Sequence, residues 1–188
     1  MYKSDFKLTA PEVRALSSEN IERAKNLRKN NINIVLDNVV DAYNVGSAFR
    51  IADSINASTV WICGSDIVHP TDKQVQKSSM NTSQFVNWKL VSDTKQIFRE
   101  KGLFIALEKL PEDSEFRIKL TDCKNINNIC EELNTPIFVI VGSERFGISK
   151  EVLAQVNTIV ELPMFGVNTS MNVINALTVL CYSLVGAT

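Results

Sequence analysis

Asn44, Arg50, Glu144, Ser170 and Asn172 are an amide, a guanidinium, a carboxylate, a hydroxyl and a second amide, spread over three short segments. The segments read DAYNVGSAFR, VIVGSERFGIS and ELPMFGVNTSMNVINA, and each lies at the end of a stretch with strand character. No thiol or imidazole stands among these residues, so they suit hydrogen bonding and the holding of charge better than covalent catalysis. The single histidine, His69, and the four cysteines, Cys63, Cys123, Cys130 and Cys181, lie elsewhere and form no CxxC pair. A metal site has little to be built from, and buried structural thiols are the plainer reading.

Each candidate also has an ordinary explanation. At 100° per residue, Ala48, Phe49, Ile51, Ala52 and Ile55 share one helix face. Arg50 points away from that face with Ser47 and Ser54, as a solvated charge or as a working residue. Asn44 is a candidate N-cap of the same helix, and Ser170 of the last one. Gly142 and Gly147 around Glu144 allow tight turning or close approach to a ligand, and a plain strand-to-helix turn has the same look. Asn172 is harder to explain away, because asparagine forms helices poorly and is costly to bury unpaired. Its natural partners are in the other two segments.

The elements that must position these residues alternate along the chain. INIVLDNV reads as a strand, VGSAFRIADSI as a helix and STVWICG as a second strand, which is a βαβ unit. FVNWKLV, LFIALEKL, PIFVIVG and TIVELPM read as further strands; TKQIFREKG, NINNICEELN and SKEVLAQV read as helices between them. The class is therefore α/β, a mostly parallel sheet flanked by helices, Rossmann-like. In such sheets ligands bind at the carboxyl ends of strands, where all three segments lie. No GxGxxG follows the first strand, which disfavours a nicotinamide enzyme.

Residues 65–84 read as a long polar connection, and Trp61 and Trp88 as core or interface fillers. The opening stretch APEVRALSSENIERAKNLRKNN reads as one or two helices, with Arg23, Lys25, Arg28 and Lys29 close together. These basic residues form a solvated face or touch RNA. Domain organisation is expected as an N-terminal helical extension, 1–30, and one domain, 31–188. The final helix, SMNVINALTVLCYSLV, carries no charge and reads as buried on all sides, in its own domain or in a subunit interface. It is too short and too interrupted for a membrane span.

The composition is that of a soluble globular protein, with 45% hydrophobic and 22% charged residues, and a net charge of −1 offers no global basic field for nucleic acid. Any grip on RNA must be local. The start, MYKSDFKLTA, has no apolar run resembling a signal peptide, so a cytoplasmic protein is expected.

Taken in order, the three segments resemble the signature motifs of the SpoU (TrmH-like) branch of the SPOUT RNA methyltransferases. The matching residues are Asn44, Gly46 and Arg50, then Gly142, Glu144 and Gly147, then Pro163, Met164, Gly166, Ser170 and Asn172. The resemblance implies a deep trefoil knot near the C-terminus, an obligate homodimer and S-adenosylmethionine as cofactor. The implied reaction is methylation of a ribose 2′-hydroxyl, with tRNA favoured over rRNA. It implies Arg50 as the catalytic residue, positioned with the substrate by Asn44, Glu144, Ser170 and Asn172. The cofactor is expected against Leu107, Gly142, Glu144, Leu162, Met164, Ser170 and Met171. The chain departs from the pattern in Met171, where leucine is common, and in the charge and bulk of Arg145 and Phe146. Two alternatives stand beside this reading: a non-catalytic RNA-binding dimer of the same fold, and an unrelated small-molecule α/β enzyme. Retention of all five polar residues argues against the first, and the missing dinucleotide fingerprint against the second.

Overall fold

A computed structural model describes residues 5–121 and 135–186. Seven strands form one sheet: β1 (Ile32–Asp37), β2 (Thr59–Cys63), β3 (Trp88–Val91), β4 (Leu103–Leu107), β5 (Leu120–Thr121), β6 (Ile137–Gly142) and β7 (Thr158–Val160). Their order is β3-β2-β1-β6-β4-β7-β5, and every described pairing is parallel. All residues of β1, β4 and β6 are buried, as parallel strands covered on both faces require.

The two-residue period of the strands divides the core in two. Ile34, Leu36, Val139 and Val141 face one layer, which holds the helix α3 (Ala42–Ser54) and the C-terminal helix, α6 (Val173–Leu184). Val35, Phe104, Phe138 and Ile140 face the other, with Trp61, Ile97, Val152 and Leu153. Trp61 is thus a core residue, its Nε1 donating to Asn33 Oδ1 at 3.2 Å. Trp88 is half-buried, its ring nearly perpendicular to that of the exposed His69 with 5.3 Å between centroids. Cys63 and Cys181 are buried free thiols, and burial pushes both up to about 12.

The N-terminal stretch makes two short helices, α1 (Ala10–Arg14) and α2 (Ser18–Lys25), within the one or two expected. Several other elements differ from their sequence reading for local reasons. Asp41, not Asn44, caps α3: its side chain accepts from the Asn44 backbone N–H at 2.9 Å. TKQIFREKG folds as a 3-10 helix, Thr94–Arg99, in which Thr94 and Ile97, three apart, bury the same edge. SKEVLAQV yields one turn, α5 (Lys150–Leu153). The helix expected in NINNICEELN lies outside the described residues, as do Cys123 and Cys130.

The connection 65–84 is more ordered than its polarity suggests. It carries α4 (Lys73–Ser78) and a 3-10 turn, Thr82–Gln84, and it buries Ser79, Thr82 and Ser83. These hydroxyls satisfy themselves locally; Thr82 Oγ1, for example, donates to the Ser79 carbonyl at 2.8 Å. The C-terminal helix buries Ile174, Leu177, Leu180, Cys181 and Leu184, while Asn175 and Val179 are exposed. It is therefore enclosed on one face by its own chain, not on all sides. Among the described residues no helix is long and apolar enough to cross a membrane.

α3 and α4 touch at Gly46. A Cβ there would lie 1.9 Å from Ser78 Oγ and 2.8 Å from the Ser79 nitrogen and the Val75 carbonyl oxygen. The motif glycine thus has a packing duty. Gly46→Ala is expected to lower stability by about 1–3 kcal/mol, since backbone must give way. Gly166→Ala, with nothing within 4 Å of its Cβ, is the control and should leave the urea midpoint unchanged.

Candidate functional site

Parallel register decides which strand ends meet. Leu107 at the end of β4 pairs with Val141 of β6 on one side and Val160 of β7 on the other, and Asp37 at the end of β1 pairs with Gly142. The segments that follow β1, β4, β6 and β7 therefore emerge from one edge of the sheet.

After β6 the chain turns back sharply. Gly147 N–H donates to the Ser143 carbonyl at 2.8 Å, and the two residues form an antiparallel bridge. A Cβ on Gly142 would lie 2.2 Å from the Gly147 carbonyl carbon, so the strand end and the returning loop are in backbone contact. Gly147 also takes a left-handed φ of +64° beneath the Glu108 carboxylate. Both glycines are required by geometry. The bend turns the Glu144 carboxylate toward α3.

There it meets Asn44, whose Nδ2 donates to Glu144 Oε1. Asn44 Oδ1 in turn accepts from Asn172 Nδ2 at 3.4 Å, and Asn172 Oδ1 caps α6 by accepting from the Ile174 N–H at 2.8 Å. Three of the expected residues thus form one chain of side-chain hydrogen bonds linking the three segments. Asn44 is free for this role because Asp41 does the capping. Asn172, not Ser170, caps the last helix, and Ser170 is exposed beside it.

That chain borders a cavity of about 430 Å³. Leu107, Gly142, Glu144, Leu162, Met164, Ser170 and Met171, the full set expected to meet a cofactor, all line it. Glu108, Lys109 and Thr169 line it too and were missed, being outside the three segments or silent within one. A pair of opposite charges directly after a wholly apolar strand was the available signal. Lys109 Nζ donates to the Thr169 carbonyl at 2.7 Å, and Glu108 Oε2 accepts from the Ile148 N–H at 2.8 Å.

Arg50 stands apart. It is exposed on α3, and among the described residues its guanidinium makes no hydrogen bond or ion pair. Six residues of helix separate it from Asn44 by about 9 Å along the axis. No group of His, Cys, Asp and Glu among the described residues could hold a metal ion.

The sequence profile described as the SpoU rRNA Methylase family matches residues 31–182. A tRNA (guanosine(18)-2′-O)-methyltransferase of Borreliella burgdorferi is 26% identical over 166 residues, covering 87% of this chain and 70% of that protein. The protein of the same name from Thermus thermophilus is 24% identical, covering 86% of this chain and 78% of its own length. Among solved structures, an AdoMet-bound rRNA methyltransferase from Sinorhizobium meliloti superposes with a TM-score of 0.70 at 18% identity. That match covers 86% of this chain but only 59% of the longer one, and at such identity it speaks for the fold alone.

The Asn44–Glu144 contact yields a pH-dependent test. Asn44→Asp sets a carboxylate against Glu144, so one proton is held more tightly in the folded than in the unfolded state. Repulsion is then full above the raised folded pKa and relieved as pH falls through it. The melting temperature should lie about 2–4 °C below that of the unsubstituted protein at pH 7. The deficit should shrink at pH 4.5, and an equal deficit at both pH values would refute the contact.

Proposed function

The chain belongs to the SpoU rRNA Methylase family, and on that premise we propose that it transfers a methyl group from S-adenosylmethionine to a ribose 2′-hydroxyl of RNA. The observation that carries the reading is the single cavity lined by all seven expected cofactor residues, with the Glu144–Asn44–Asn172 chain on its border. We favour tRNA over rRNA as substrate, because the chain covers more of the relatives named tRNA methyltransferases, 70% and 78% of their length, than of those named 23S rRNA methyltransferases, 62% and 52%.

The lining suits the cofactor chemically. Leu107, Leu162, Met164 and Met171 offer apolar surface to a purine ring. Glu144 suits a sulfonium or an ammonium. S-adenosylmethionine supplies a methyl group already activated for displacement by the positive sulfur. What the chain must add is alignment of the hydroxyl and relief of the charge growing on its oxygen. Asn44, Glu144 and Asn172 hold the three loops at one separation, and Ser170 lies beside them to contact the substrate.

Arg50 is assigned to the RNA. A guanidinium is not deprotonated at working pH, so it does not serve as the base. Its fork suits the phosphate next to the reacting ribose and stabilisation of the developing alkoxide. Since Arg50 bonds to none of the other four residues, a second copy of the chain is proposed to complete the site. Val40, Tyr43, Met171 and Val179 support such a homodimer: all are exposed apolar residues on or beside α3 and α6, which pack together. The deep trefoil knot belongs to the same proposal, supported by β7 lying between β4 and β5, inside chain already laid down. The extension 1–30 is assigned an RNA contact through Arg23 and Lys25, both exposed on α2.

Methyl transfer from labelled S-adenosylmethionine to tRNA and, separately, to rRNA tests the reading. Digestion should return label in 2′-O-methyl nucleosides. Arg50→Ala should lower kcat by about 10²-fold or more with cofactor affinity unchanged; unimpaired methylation by this variant would remove Arg50 from the mechanism. Arg23→Glu with Lys25→Glu should raise KM for RNA and flatten its salt dependence, and leave cofactor binding alone. Sedimentation at equilibrium should return twice the chain mass.

A further inference from the structure

Glu108 and Lys109 belong to none of the three motif segments, yet they hold two of them. The Glu108 backbone N–H donates to the Val160 carbonyl at 3.1 Å, which fixes the dipeptide to the end of β7. Both carboxylate oxygens are then engaged. Oε1 accepts from the Lys109 N–H at 3.0 Å, and Oε2 from the Ile148 N–H at 2.8 Å. The second bond reaches the loop that carries Glu144, just after the left-handed Gly147. Its φ of +64° favours glycine, and a Cβ there would also lie 2.6 Å from the same Oε2.

Lys109 reaches the third segment, through Nζ to the Thr169 carbonyl. All residues from Phe165 to Asn172 are exposed, with Phe165 at 94% and Val167 at 100%. Among the described residues only two hydrogen bonds fasten this stretch to the rest of the molecule beyond α6: Asn172 to Asn44, and Lys109 to Thr169. Such a loop has little burial to hold it, and a charge-assisted bond at its middle decides how far it swings.

We infer that Glu108 and Lys109 are positioning residues that fasten the second and third loops around the cavity, with Lys109 as a latch on residues 165–171. The inference rests on the cavity being the S-adenosylmethionine site. With the latch closed, Ser170 and Met171 stand over the cavity beside Leu107; with it released, the same stretch is held at the Asn172 end alone. The cofactor's residence time therefore depends on a lysine outside the motifs. Because Lys109 is exposed, removing its charge costs little global stability.

The test pairs two readouts on Lys109→Met and Lys109→Arg. Hydrogen exchange of the ligand-free protein should show amides 165–171 exchanging faster in Lys109→Met, with rates restored in Lys109→Arg. Calorimetry should show S-adenosylmethionine bound about five- to tenfold more weakly by Lys109→Met, through faster release, and KM for RNA unchanged. Glu108→Gln, which keeps one acceptor for Ile148, should be affected less than Glu108→Ala. Weaker binding with unaltered exchange would overturn the latch in favour of direct contact with the cofactor. Unaltered exchange and affinity would overturn it outright. Altered exchange in a parent protein that binds no S-adenosylmethionine would sustain the latch and remove the cofactor reading instead.

Discussion

Two stretches of backbone touch where β6 ends: Gly142 lies against Gly147 and Ile148 with no room for a single Cβ between them. Most of the site's geometry descends from that contact. It lets the loop after β6 reverse within five residues, closed by the Ser143–Gly147 bridge. Reversal delivers the Glu144 carboxylate to Asn44 on one side and the Ile148 N–H to Glu108 on the other. A side chain at Gly142 would push the loop off the sheet edge and break both links together, and one at Gly147 would strain its left-handed backbone against the Glu108 carboxylate. The pair is a steric constraint first and a motif second.

The same economy governs α3. Asp41 satisfies the open N–H at the helix start, which leaves both ends of the Asn44 amide for its neighbours. The amide donates to Glu144 and accepts from Asn172, so its orientation is fixed by the chemistry of its partners. Further along, Val45, Ala48, Phe49 and Ala52 are buried against the sheet, and Gly46 admits α4. The helix is held on two sides, and its solvent side is left to Arg50. Rigid support beneath and an unpaired charge above suit the phosphate contact proposed for Arg50.

Much of this was legible in the residues. Apolar runs located β1, β4 and β6, and helical period located the buried face of α3 with Arg50 outside it. The demand of Asn172 for a hydrogen-bonding partner pointed to the other two segments, where Asn44 supplies it. The rest depends on contacts between residues distant in sequence. Nothing local tells Asp41 from Asn44 as a cap, or Asn172 from Ser170, because all can accept an N–H. Glu108 and Lys109 look like ordinary loop charges until register brings Ile148 and Thr169 to them. The polar run at 65–84 hid a helix because its buried hydroxyls bond to nearby backbone, which makes polarity a poor guide to exposure there.

To act on RNA as proposed, a chain of net charge −1 must concentrate its positive charge. The structure offers the means without a basic field. Arg50 is exposed and, among the described residues, unpaired, so in the proposed complex no ion pair would have to be broken before it met an RNA phosphate. Arg23 is held over the Phe6 ring at 4.4 Å, which orders its guanidinium while leaving it exposed. Counterion release grows with the number of phosphates contacted, so the proposed two-fold assembly, presenting each cation twice, would double the salt slope without changing the charge per chain. In the proposed dimer weak affinity for each cation would have a use: RNA would be held only where both copies engage it, and a single copy of these contacts would give little non-specific binding.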